Sequence, residues 1–93
     1  MNIKIPQTKQ EAFAQLDEML SEKEKKELVI GEAIEFHFTL GMWIRNNWIY
    51  EQAEEDVKRL AKAFRDDMWF VVPDSLSGKI IESYQRNLNR KNK

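Results

Sequence analysis

His37 is the one histidine in the chain, and its side chain is the one whose proton moves nearest neutral pH, so acid–base or metal chemistry is sought there first. On a helix its neighbours three and four positions away are Ala33, Ile34, Leu40 and Gly41, none of which is a ligand or a carboxylate. His37 therefore reads as a hydrogen-bonded histidine at the edge of a core, with a partner distant in sequence left open. Further on, Arg45, Asn46 and Asn47 concentrate planar donors suited to carboxylate, phosphate or backbone amides. Gly41 lies one turn before Arg45 and leaves space beside a guanidinium; Trp48, three residues after, could stack on it. A glycine in mid-helix costs about 1 kcal/mol relative to alanine, and close approach of another backbone is the simplest reason for it. Arg45 carries two readings: a buried arginine tying helix ends together through Asp74 or Asp67, weighed first, and ligand recognition, weighed second.

Asp66 and Asp67 fall near a helix C-terminus, where the dipole disfavours negative charge. They are expected to be solvated or paired with a base such as Arg65, with cation binding alongside Asp74 as the lesser alternative. Trp43, Trp48, Trp69, Phe70 and Tyr50 are a heavy aromatic load, and core is the default for most of them. Tyr50 and Trp69 lie in predicted connections and are the members expected to be exposed. There is no Gly-rich phosphate loop, cysteine, metal-spaced histidine pair or nucleophile elbow, so neither an enzyme nor a cofactor or metal is expected.

The elements that must position these residues read as helices. Ninety-three residues with 42% hydrophobic and 33% charged side chains, three Gly and two Pro describe one helical domain over 1–93, with 1–7 as an N-terminal arm and 89–93 as a frayed basic tail. Without cysteine the fold stands on packing, and a reducing cytoplasm suits it; no apolar stretch has the length of a signal peptide or a membrane span. Thr8 with Glu11, and Ser21 with Glu24, have capping-box spacing and open a helix over roughly 9–20 and a short one ending at Gly31. The segment of about 32–47 is apolar on nearly every side and reads as a central helix, with Asn46 and Asn47 as terminators. Phe38 and Met42 point away from its main stripe, with Arg45 beside them. Ala53, Val57, Leu60, Ala61 and Phe64 stripe a fourth helix; 68–72 reads as an extended strap; Leu76, Ile80, Ile81, Tyr84 and Leu88 face inward from a last helix capped by Asp74, Ser75 or Ser77. Four acids from Glu51 to Asp56 open one helix and the bases from Arg86 to Lys93 close another, the polarity a helix dipole favours. The fold class is all-α, a compact orthogonal bundle of four to five helices.

The pattern Phe36-His37-Phe38-x-Leu40-Gly41-x-Trp43-Ile44-Arg45-Asn46-x-Trp48 resembles a family of small bacterial domains of unknown function, numbered 6794. Leu60 and Phe64, then Pro73-Asp74-x-x-Ser77 and Ile80-Ile81-x-x-Tyr84 with Leu88, resemble its second half, although Ile49-Tyr50-Glu51 and Val71-Val72 depart from it. The resemblance implies a fold and a shared polar cluster, with no activity attached.

The functional expectation is a cytoplasmic protein-interaction module, with an immunity- or antitoxin-like role as an analogy. Its binding residues would be Arg45, Asn46, Asn47, Phe38, Met42, Trp48, Tyr50 and Trp69. The partner is expected to be another protein and not a membrane, with a homodimer left open. The alternative is a nucleic-acid-binding accessory protein using Lys79, Arg86, Arg90, Lys91 and Lys93, which the net charge of −1 does not favour as a general surface.

Overall fold

The computed structural model describes residues 4–66 and 71–91. Helix α1 spans Lys9–Met19 and opens as its sequence suggests, with the Thr8 hydroxyl accepting from the Glu11 amide at 3.1 Å. The Glu11 carboxylate reaches back one residue further than a capping box requires, to the Gln7 amide at 3.3 Å. Helix α2, Glu22–Ile30, carries the complete reciprocal box between Ser21 and Glu24. The two caps are separated by one helix length, so α1 turns directly into α2. At the far end of α2, Gln85 donates its amide to Leu28 O and Gly31 O at 2.8 and 2.9 Å, satisfying carbonyls that a helix end leaves open.

The segment expected as one helix over 32–47 is instead built in pieces. A 3₁₀ turn covers Ala33–Phe36, a turn follows through Thr39, helix α3 covers Leu40–Ile44, and a π turn continues through Arg45–Ile49. Arg45 supplies the physical reason for the break. Its Nη2 donates to His37 O at 3.0 Å, taking the carbonyl that a continuous helix would have offered to the Gly41 amide. Thr39, at φ −109° and ψ −90°, departs from helical geometry at that point. Asn46 and Asn47 do not end the element; Tyr50 N bonds Arg45 O at 2.7 Å, and the chain reverses only at Glu51, whose φ is 59°. Such a five-residue step turns the chain less per residue than an α-helix and brings Ile49 round to the buried side with Ile44 and Trp48.

Helix α4, Glu54–Ala63, has no side-chain cap but three acids, Glu54, Glu55 and Asp56, in its first turn. It ends in a Schellman motif in which Arg65 N bonds Lys62 O and Asp66 N bonds Ala61 O. The left-handed position of that motif is held by Arg65, at φ 58°, where glycine is usual. Residues 67–70, with Trp69 and most of the expected strap, lie outside the described residues; Val71 and Val72 have no regular structure, and Val71 packs on the core.

Helix α5, Pro73–Lys91, is about 28 Å long at 1.5 Å per residue. Pro73 takes the first helical position, where its missing N–H is no loss, and Leu76 N bonds Val72 O. The helix stays regular through Lys91, so residues 89–91 are helical where fraying was expected. It packs on α2, the 3₁₀ turn, α3 and the π turn, which makes α5, rather than the 32–47 segment, the centre of the molecule. Leu76, Ile80, Ile81, Tyr84 and Leu88 are buried along it against Ala12, Leu16, Leu28, Ile44, Trp48 and Leu60 from the other elements. Ile5 and Pro6 are buried too, and Gln15 donates to Lys4 O, so this part of the N-terminal arm is docked. The described residues form an all-α bundle of five helices measuring 35 × 29 × 23 Å, with no strand among them.

Candidate functional site

The polar cluster centres on Arg45, only 5% exposed. Each of its three guanidinium nitrogens lies against an acceptor: Nη1 donates to Ser77 Oγ at 3.0 Å and approaches His37 Nδ1 at 3.4 Å, Nη2 donates to His37 O, and Nε is 3.6 Å from Asp74 Oδ1. A guanidinium can only donate, so His37 Nδ1 must be the accepting nitrogen. The ring proton then sits on Nε2, which is 3.9 Å from Asp74 Oδ1. Ser77 is buried, and its hydroxyl proton is given to Asp74 O at 3.1 Å. The distant partner left open for His37 is thus Asp74, together with Arg45 itself.

Gly41 makes this packing fit. A Cβ there would come within 3.0 Å of Arg45 Nη1 and 3.3 Å of Phe36 O, so the expected space beside the guanidinium and the expected close backbone approach are both present. The arrangement is that of an arginine closing a junction between the 37–39 turn, the π turn and the start of α5.

Around this closed junction the other named residues separate. Phe38 is 76% exposed, its ring edge-on to His37 at 4.9 Å, and Met42 is 46% exposed. Tyr50 and Asn46 are exposed as well. Asn47 is half-buried and donates its amide to Trp43 O at 2.8 Å, a local role beside the widened turn. Trp48 corrects the sequence reading: it is fully buried, sits edge-on to Trp43 at 5.4 Å, and donates Nε1 to Gln15 Oε1 at 3.3 Å, so it is a core residue and not a surface stacking partner for Arg45. Trp69 lies outside the described residues.

Asp66 meets its expectation in part. The Schellman turn folds it inward to 3% exposure, where Oδ1 accepts from Lys79 Nζ at 3.1 Å and Oδ2 has no partner among the described residues. Of the two expectations for Asp66, solvated or paired with a base, the pairing is the one found, with Lys79 in place of Arg65, and the carboxylate is buried. Lys79 lines a shallow cleft with Lys9, Arg65 and Arg86, and Glu82 and Ser83 share it. Among the described residues no group of three or more histidine, aspartate or glutamate side chains is placed to hold a metal ion.

A groove without a counterpart in the sequence reading runs between the α1–α2 corner and the 35–43 segment, with a volume of about 560 Å³. Its apolar lining comes from Met19, Leu20, Leu28, Phe36, Leu40 and Trp43. Glu24, Glu27 and Glu35 stand among them, and no lysine, arginine or histidine lines it among the described residues. The i, i+3 spacing of Glu24 and Glu27 is visible in the sequence, but that pair becomes a rim only when the broken 32–47 segment folds back beside α2. Gly31 helps form that corner, since a Cβ on it would lie 2.9 Å from the Phe36 ring and 2.8 Å from the Glu35 carboxylate.

The architecture is thus a small all-α bundle with a buried polar junction and an open acidic groove. The family described as Domain of unknown function (DUF6794) matches residues 5–88, and the chain belongs to that family. Comparison with curated proteins and with solved structures found no match.

Proposed function

We propose that this chain is a cytoplasmic protein-interaction module whose contact surface is built on residues 38–50. The observation that carries the reading is Phe38, a large apolar ring held out in water on a turn that Arg45 clamps from behind. Exposed aromatic side chains on rigid backbone lose little entropy on binding and are the usual anchors of interfaces. Met42 adds an adaptable apolar neighbour from the same segment, and Tyr50 and Asn46 add polar reach. Arg45 contributes as the support of that surface, because its guanidinium is already committed. An immunity- or antitoxin-like task is the form of this reading that a neighbouring toxin gene would support. The test compares wild type with Phe38→Ser/Met42→Ser as bait in lysate of the source cells. A protein retained by the first and lost by the second at an unchanged melting temperature is the expected result; equal recovery by both baits overturns the reading.

Nucleic-acid binding has one supporting observation, the cleft of Lys9, Arg65, Lys79 and Arg86. It ranks second because Lys79 is committed to Asp66 and Glu82 shares the cleft. A phosphate-driven interaction would weaken steeply as salt rises, and affinity that stays flat excludes it.

A further inference from the structure

We infer that the groove between the α1–α2 corner and residues 35–43 is a docking site for a short basic amphipathic segment of a partner protein, its apolar face on Met19, Phe36 and Trp43 and its lysines or arginines against Glu24, Glu27 and Glu35. This deepens the interaction-module reading and rests on it. The charge of the groove selects the occupant. Three carboxylates line an apolar floor with no cation among the described residues, so an acidic or purely apolar segment would leave the glutamates uncompensated as water is excluded. Of the two bases between Glu24 and Glu27 in sequence, Lys25 is drawn elsewhere, with Nζ 3.5 Å from Glu22 and 4.0 Å from Asp17, and Lys26 does not line the groove. The Ser21 amide bonded to Glu24 holds that carboxyl below its usual range, which favours its charged form. The groove is open along one side and lined from consecutive elements, the form in which an amphipathic segment can lay its apolar face down and leave its polar face in water. Met19 and Trp43 offer the polarisable and aromatic surface typical of such grooves.

The probe is a synthetic Lys/Leu amphipathic peptide, compared with its Glu/Leu counterpart, titrated into the full ¹⁵N-labelled chain. The expected result is saturable shifts of the Trp43 indole and of the Met19 and Phe36 amides with the Lys/Leu peptide only. Affinity should fall ~tenfold in Glu24→Gln/Glu27→Gln/Glu35→Gln, each exposed charge pair being worth a fraction of that. The glutamine placed at position 24 retains a capping side chain, so the triple variant should keep its melting temperature. Binding should be unchanged in Glu54→Gln/Glu55→Gln, which removes an acidic patch elsewhere on the surface. Equal binding of the Glu/Leu peptide, shifts that map away from the groove, no loss in the triple variant, or an equal loss in the Glu54/Glu55 control each overturn the proposal. So does sedimentation showing a dimer whose formation shifts the groove residues without peptide, since a second copy would then be the occupant. If the peptide fails while Phe38→Ser/Met42→Ser still loses a partner, the docking site falls and the interaction module stands.

Discussion

The guanidinium of Arg45 and the carboxylate of Asp66 are both nearly closed to water, at 5% and 3% exposure, yet the chain satisfies them unequally. Arg45 draws partners from two segments besides its own: the His37 ring and carbonyl, the Ser77 hydroxyl and the Asp74 carboxylate. Asp66 has one lysine on one oxygen, and its other oxygen has no partner among the described residues. A buried charge contributes only when its hydrogen-bonding capacity is matched, so the first site specifies the fold while the second leaves part of its desolvation cost standing. The difference follows from geometry. Arg45 sits where three pieces of chain converge; Asp66 is turned inward by a helix-ending motif and meets a single long side chain from α5.

Replacing Arg45 should have the largest effect. Arg45→Met should lower stability by about 3 kcal/mol, because His37 O and the Ser77 hydroxyl lose their donor inside the junction. That corresponds to a fall in melting temperature of roughly 12 °C or more, and a loss under about 1 kcal/mol would reduce the junction to a surface ion pair. The Asp66 site should respond asymmetrically. Lys79→Ala strands a buried carboxylate and should cost about 2 kcal/mol, whereas Asp66→Asn removes the stranded charge and should cost clearly less; urea melts that rank the two the other way would break the contrast.

Tyr84 offers an intermediate case, a neutral donor to a carboxylate. Its hydroxyl gives a 2.6 Å hydrogen bond to Asp17 Oδ1, and burial, then that bond, push the phenol well above its ordinary range. A folded-state pKa raised above the unfolded value of about 10 means stability that is present below pH 10 and is lost as pH rises beyond it. Tyr84→Phe should cost about 1 kcal/mol at neutral pH and flatten that alkaline decline, as denaturant melts at pH 8 and above pH 10 would show. The smallest effect should be a gain: Arg65→Gly relieves a left-handed residue and should stabilise by about 0.5 kcal/mol, the strain being partly offset by the freedom glycine adds to the unfolded chain. A loss instead would mean that the Arg65 side chain contributes more than its backbone strain removes.

What can be read from the sequence is what short-range chemistry decides. Ser21 and Glu24 announce a helix start because the atoms that bond are three residues apart, and Gly41 announces a close approach because little else excuses a glycine there. The inward stripes of α4 and α5 follow from a constant angle per residue. The same constant angle fails over 33–49, where an arginine diverts a carbonyl and a π turn changes the step, so Phe38 emerges on a turn and Ile49 enters the core. Proximity to Arg45 in sequence suggests a stacking role for Trp48, but its burial is set by Gln15 and Trp43. The inward turn of Asp66 and the acid-rimmed groove are hidden for a shared reason: each depends on which remote element folds back beside it. The closed form of the Arg45 junction is one of the two readings the sequence allows, with Asp74 or Asp67 as its partner; Asp74 is the one found beside the guanidinium, and Asp67 lies outside the described residues.

Helix α5 carries an implication for how the molecule comes into being. Leu16, Leu28, Ile44 and Leu60 all pack into the core that residues 76–88 complete, and those residues are synthesised after the four other helices described. At about 5–20 residues per second, the stretch from Val72 to Leu88 takes roughly one to three seconds to synthesise. During that interval the preceding elements have only one another to pack upon, as Trp48 does on Gln15 and Trp43 and Phe13 on Phe64, so the core stays open on the side that α5 closes, and a chain halted before Tyr84 should be more open to proteases than the whole one.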